Sequence, residues 1–416
     1  MELSLHRRKR GVDFKPPKDS RLIPALMCCL IPLTNRTVFK IDGVKVDEES
    51  LGRLRQLDGH RTVLTPNHPT DRDSIVMFQL SKFLGEQFNY LAARELFDLA
   101  PIAWLLQRCG VYSVIRGTND RKSYRMTVQL LVEGKRKLVI FPEGLTCWQN
   151  DTVMPFQEGV PLFGFWALEK LAKQRPVPPL FLVPVAIKYI YLRNMRREIH
   201  RALARLEQRL RLSPDHLSLH ERLRHVGEAV VASLEEEYGV RAGGDANLNA
   251  RIQSMKELLV VRIATALGVS FDRDQALAAR IRTLVNTVDR ILHEEAQGSG
   301  YQLDLHRHRQ AEVEPLYDDL SRVLRFVATY DGYVRETMSV ERFLDIIGQL
   351  EREVFDKRPN RGPCRALIRV GEPVNLTGYF DRYQRDRRGV LGYVTTELED
   401  SVKAMLMELG RFAKPL

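Results

Sequence analysis

The chain has 416 residues, of which 44% are hydrophobic and 28% charged. Those fractions exclude a disordered or fibrous polymer and leave enough apolar material for the cores of two or three domains. A formal net charge of +11 suits anionic partners such as a membrane surface, phosphorylated substrates or nucleic acid. The five cysteines (Cys28, Cys29, Cys109, Cys147, Cys364) show no paired spacing, which fits a reducing compartment without structural disulfides or zinc.

The first 36 residues place a basic stretch (Arg7–Arg10, Lys15–Arg21) before an apolar one, Leu22–Leu33. With two internal prolines and no small-residue cleavage site it does not read as a signal peptide, and no run approaches the ~18 apolar residues of a spanning helix. It reads as an interfacial anchor, or as a segment packed on the core.

From 37 to 192 short β-rich runs alternate with helical stretches. Val38–Val46 is expected as a strand pair, Thr62–Thr65 as a buried strand, Ser74–Leu84 as a helix and Phe88–Ala92 as a strand. Helix Ile102–Cys109, strand Val111–Ile115, helix Ser123–Glu133, strand Leu138–Phe141, helix Val160–Lys173 and strand Pro179–Ile190 follow. Such alternation predicts an α/β fold, a mixed, mainly parallel sheet flanked by helices.

The style changes at 193. Residues 193–360 are rich in Arg, Glu, Leu and Ala at helical spacing (Ile199–Leu212, Leu219–Tyr238, Leu248–Leu267, Ala276–Glu295, Phe326–Tyr333, Val340–Phe355), broken at Ser213–Pro214, Gly243–Gly244 and Gly298–Gly300. They predict an all-α helical insertion of four to six antiparallel helices. Residues 361–416, with strand Cys364–Val370 and helix Val394–Leu409, then complete the α/β domain. The insertion holds 26 Lys+Arg against 27 Asp+Glu, so the whole basic surplus belongs to the flanks.

Three strand ends carry candidate chemistry. His68 and Asp73 stand five apart directly after the strand Thr62–Thr65. An aspartate there can orient a histidine and stabilise its protonated form, leaving the other ring nitrogen to take a proton from a hydroxyl. The spacing alone also fits a helix-start aspartate beside a loop histidine. Phe141-Pro142-Glu143-Gly144 ends the strand Leu138–Phe141, with Gly144 allowing close backbone approach. Arg116 ends the strand Val111–Ile115, where a guanidinium fork suits a phosphate and a surface ion pair is the plainer reading. Together they place a base, a carboxylate and a phosphate ligand on one rim of a parallel sheet.

In this order and spacing the residues resemble the glycerophospholipid acyltransferase family, which includes 1-acylglycerol-3-phosphate acyltransferases. Asn67-His68-x4-Asp73 matches its first block. Gly110 to Arg116 matches the second, with Ser113 in place of an aromatic, and Phe141-Pro-Glu-Gly144-Leu-Thr146 matches the third. Leu182-Val-Pro184-Val-Ala-Ile, Arg94-Glu95-Leu96-Phe97 and Gly371-Glu372-Pro373 add further landmarks.

The resemblance implies acyl transfer without a covalent intermediate, with His68 and Asp73 catalytic and Arg116, Glu143 and Gly144 holding the acceptor. It implies no bound cofactor, acyl-CoA or acyl carrier protein as donor, and a lysophospholipid or glycerol phosphate as acceptor, with lysophosphatidic acid leading. The protein is expected to be membrane-associated, peripheral or monotopic, on the cytoplasmic side. Other acceptors (glycerol 3-phosphate, another lysophospholipid, a lyso-aminolipid) are alternatives, and a non-catalytic lipid-binding protein is the alternative of another class. This chain lacks the family's usual Arg after the Phe-Pro-Glu-Gly block, which bears on the acceptor.

A metal site at Asp304-x-His306-x-His308 or His216-x3-His220 is not expected, since arginines crowd the first and the second lies on a charged helix. Neither is a nucleic-acid partner, for no recognised motif accompanies the basic flanks.

Overall fold

The computed structural model describes residues 13–146, 148–174, 176–214, 216–240, 247–272, 275–294, 299–328 and 338–416. The run Arg7–Arg10, Cys147, the Gly243–Gly244 break, Gly298 and part of the expected helix Phe326–Tyr333 lie outside them.

Strands β1 (Ile41–Val46), β2 (Arg61–Pro66), β3 (Asn89–Ala93), β4 (Val111–Val114), β5 (Leu138–Val139), β6 (Leu180–Tyr191), β7 (Cys364–Val370) and β8 (Val374–Asn375) form an eight-stranded sheet. Its order is β1-β7-β6-β2-β5-β3-β4, with β8 beside β6. Neighbours are parallel except where β6 meets β7 and β8, so the sheet is mixed and mainly parallel.

Both faces are covered, which is why β2 and β6 are almost uninterruptedly buried rather than alternating. One face packs on α2 (Glu48–Gln56), α3 (Asp73–Leu84) and α4 (Ala100–Arg108). The other packs on α5 (Arg121–Glu133), α6 (Gly159–Leu171), α14 (Phe380–Arg385) and α15 (Arg387–Gly410). The open edge of β4 is shielded by the N-terminal segment: Lys15 exchanges two hydrogen bonds with Ser113, and buried Arg94 clamps the Asp13 carbonyl and carboxylate.

Helix α1 (Leu22–Thr34) continues as a π-helical turn, Asn35–Phe39. The expected strand pair over Val38–Val46 is therefore one strand preceded by a helix end. The continuous helix Leu22–Phe39 reaches 18 residues, long and apolar enough to cross a membrane, so the expectation that no run approaches that length is corrected. Helix α1 touches α3 and α4, while Leu22, Leu26, Leu30 and Leu33 stay exposed at helical spacing.

Among the described residues seven helices lie between β6 and β7 rather than four to six: α7 (Arg196–Leu210), α8 (Leu219–Glu237), α9 (Leu248–Leu267), α10 (Leu277–His293), α11 (Gly300–Val313), α12 (Leu316–Ala328) and α13 (Val340–Phe355). Ser218–Glu221 and Ser299–Gln302 form capping boxes at α8 and α11. One core joins α7, α8 and α13 to the start of α9, and a second joins the end of α9 to α10 and α12.

Candidate active site

Strands β2, β5, β3 and β4 are parallel neighbours, so the loops leaving their C-terminal ends share one rim. At the end of β2 the side chain of Asn67 takes over from the main chain. Its Nδ2 donates to the Ile187 carbonyl at 3.1 Å and its Oδ1 accepts the Ile187 N–H at 2.7 Å. The backbone is then free to turn, and His68 begins the turn.

His68 Nδ1 lies 2.8 Å from Asp73 Oδ2. Asp73, the first residue of α3, is fully buried, and Oδ2 also accepts the Thr70 N–H at 2.8 Å. Its Oδ1 accepts from the Thr70 hydroxyl at 2.9 Å and the Tyr189 hydroxyl at 2.6 Å. Burial and the adjacent Asp73 hold the Tyr189 phenol well above its ordinary pKa, so it serves as a donor. An ionised carboxylate can only accept, so beside one Nδ1 carries the proton and Nε2 is left able to accept. The ring stacks on Phe141 with centroids 4.3 Å apart, and its Nε2 meets the Thr146 hydroxyl at 3.2 Å.

Glu143 does not face outward. Its Oε1 accepts the His68 N–H at 2.5 Å and its Oε2 the Met154 N–H at 2.8 Å, which ties the β5 loop to His68. Burial raises its pKa to about 7, against the lowering effect of those two N–H groups. Gly144 has φ +71, and a Cβ there would come within 2.0 Å of Gln157 Nε2.

Arg116 stands on the same rim at the end of β4, but its guanidinium is engaged. Nη2 donates to Glu95 at 3.2 Å and Nε lies 3.5 Å from Asp289 of α10. The loop after β5 is also gripped from the insertion: Asp345 of α13 accepts the Asn150 N–H at 2.9 Å, and Leu145 packs into the α9–α10–α12 core. A cavity of about 330 Å³ adjoins Thr70 and Tyr189 beneath α13. Its walls oppose Arg72, Arg358 and Arg361 to Asp71, Glu341 and Asp345, so it offers an anion no net charge.

Thus His68, Asp73, Glu143 and Gly144 come together as the sequence led one to expect, and Arg116 shares their rim with its charge already countered. Thr70, Thr146 and Tyr189 were missed. Tyr189 is 116 residues from Asp73 and carries no local signal, whereas Thr146 lay inside the singled-out block as the residue in place of an arginine. His306 and His308 each face a backbone carbonyl, and the His220 ring stands edge-on to Phe343.

A family model described as "Acyltransferase" matches residues 44–188, which span β1 to β6. Over 132 residues the chain is 26% identical to a 1-acyl-sn-glycerol-3-phosphate acyltransferase of Streptococcus pneumoniae (strain ATCC BAA-255 / R6), a match covering 32% of this chain and 46% of that protein. Residues 44–188 are thus similar to known acyltransferases. Within the matched residues lie His68, Asp73, Arg116, Glu143 and Gly144, while Asp289 and Asp345 come from the helices that follow β6.

Proposed function

We propose that the protein transfers a fatty acyl group from a thioester donor, acyl-CoA or acyl carrier protein, to a hydroxyl of a glycerophospholipid precursor. The observation that carries this is the relay Asp73–His68 with Nε2 already paired to a hydroxyl, that of Thr146. An acceptor hydroxyl displaces Thr146 and gives its proton to Nε2 as its oxygen attacks the thioester carbonyl. Asp73 stabilises the imidazolium so formed. Collapse of the tetrahedral intermediate breaks the C–S bond, and His68 returns the proton to the leaving thiolate, giving an ester and a free thiol. The oxyanion is placed against the first turn of α3, since the N-terminal end of a helix favours negative charge.

Lysophosphatidic acid, yielding phosphatidic acid, is the acceptor we propose. Support comes from the name of the Streptococcus relative. The protein works at a membrane surface, on the cytoplasmic side. The exposed leucines of α1, together with Phe83 of α3 and Trp104 of α4, offer an apolar face beside a basic N-terminal segment. The test is release of free thiol from an acyl donor by purified protein across a panel of lysophospholipids, run beside His68→Ala. Acceptor-dependent release that vanishes in the variant supports the proposal. No release above the variant with any pair, from folded protein in vesicles, refutes it.

A further inference from the structure

Helix α10 sits across the rim that the acceptor must approach. Gly117, just past β4 with φ +70, can carry no side chain, because a Cβ would come within 2.1 Å of the Asn286 carbonyl oxygen. Further along the helix, fully buried Asp289 faces Arg116 while accepting the Tyr317 hydroxyl at 3.0 Å. Glu95 stands on the other side of the same guanidinium, and His293 Nε2 lies 4.0 Å from Glu95. A phosphate arriving at Arg116 therefore meets two carboxylates facing one guanidinium, and must displace one of them against repulsion.

Seven residues before Asp289, two turns back on the same face, α10 carries Arg282. Its Nη2 donates to the Pro155 carbonyl, in the loop that follows β5. Among the described residues no carboxylate makes an ion pair with it. The carboxylates that act on it most are Glu143 and Glu399. Glu143 is taken by the His68 and Met154 N–H groups, and Glu399 by the Phe156 N–H and Lys403. Burial lowers the pKa of the Arg282 guanidinium, the direction of a cation that is poorly compensated. The loop from Phe141 to Glu158 has no basic residue of its own, yet it presents Thr146 to the base. Arg282 is the positive charge that another element brings to it.

We propose that Arg282, supplied by the helical insertion, binds the phosphate of the acceptor in place of Arg116. This rests on the reading of the protein as an acyltransferase for a phosphorylated acceptor. It makes the insertion part of the acceptor site, with α10 doing two things at once: Asp289 counters one guanidinium and Arg282 offers another. A guanidinium fork bound to a phosphate monoester forms charge-assisted hydrogen bonds, each stronger than a neutral one.

The experiment is steady-state thiol release by the full chain with lysophosphatidic acid as the varied acceptor. Monoacylglycerol, which has the same acyl chain and no phosphate, is titrated as a competitor. Arg282→Gln is expected to raise KM for lysophosphatidic acid by about tenfold or more, with kcat within about threefold, on the strength of one lost charge-assisted contact. Arg282→Lys recovers part of that loss, and the inhibition constant of monoacylglycerol does not change. Unchanged KM in Arg282→Gln, with a rise in Arg116→Gln instead, overturns the assignment. If Arg282→Gln does not fold, Arg282→Met, which keeps the apolar stem, takes its place. Should the wild type release no thiol at all, the acyltransferase reading fails separately. Equilibrium binding of glycerol 3-phosphate then decides, since affinity equal in wild type and Arg282→Gln overturns the phosphate site, and a loss in the variant sustains it.

Discussion

Replacing Asp73 by Asn separates the charge of this residue from its hydrogen bonds. Asn can keep its oxygen toward the Thr70 N–H, which can only donate, and toward His68 Nδ1 in the tautomer that donates. Its NH2 then meets the Thr70 and Tyr189 hydroxyls, and both can rotate to accept. The stability cost is thereby held to about 1–2 kcal/mol, that of a hydrogen-bond rearrangement without an orphaned group. The catalytic cost is larger. With charge centres about 4 Å apart, an imidazolium–carboxylate pair gains about 4 kcal/mol at an effective dielectric of about 20. Losing it while the proton sits on His68 lowers kcat by about 10³. KM should hardly move, because Asp73 is fully buried and offers no surface to a substrate. The assay is thiol release against acceptor concentration, with thermal unfolding of each variant alongside. Asp73→Ala, which strands the Thr70 N–H and the Tyr189 hydroxyl, should melt well below Asp73→Asn. A folded Asp73→Asn with kcat within tenfold of wild type would refute the assignment of the relay.

Three further outcomes follow from the geometry. Thr146→Ala removes the hydroxyl beside Nε2 and should keep kcat within about fivefold; a loss beyond about a hundredfold, with acyl-protein detected by mass spectrometry in the wild type and not in the variant, would mean that transfer passes through Thr146 instead. Glu143 holds its proton in the folded state up to about pH 7 but releases it near 4.5 when unfolded, so its contribution to stability declines as pH rises through that window, by about 3 kcal/mol in all. Denaturant titrations from pH 4.5 to 7.5 should show Glu143→Gln less stable at the acid end and less steeply pH-dependent, with parallel curves as the contrary result. Changing Leu22, Leu26 and Leu30 together to Ser should cut sedimentation with anionic vesicles at least tenfold while leaving the melting temperature unchanged, since these side chains are exposed; equal sedimentation would place the membrane contact elsewhere.

Where the sequence was legible, one physical rule dominated. β2, β5 and β6 read as strands because burial on both faces demands continuous apolar runs, and the polar groups that follow them stand out against that background. The same contrast exposed His68 and Glu143. Where this contrast is weak, reading failed. Helix α2 buries only Ser50, Leu51 and Leu54 in a charged nine-residue stretch, and α11 buries only Val313, so neither has a stripe to detect. Val38 and Phe39 are β-formers that finish a helix because the apolar segment before them is already wound. The grip of the insertion on Arg116 and Leu145 was invisible for another reason. It joins positions more than a hundred residues apart, through contacts that leave no periodic trace.

Asn67 has a consequence beyond its own hydrogen bonds. An amide side chain offers one donor and one acceptor spaced as a peptide group offers them, so the β2–β6 ladder gains one more rung after the strand has ended. His68 is therefore indexed to the sheet by register rather than by packing. Aspartate keeps the acceptor and loses the donor, leucine keeps the volume and loses both, and glutamine places the same group one methylene too far. Any of these lets the chain choose a different point of departure, and a shift of one residue would turn His68 to the opposite face, with every other part of the site intact.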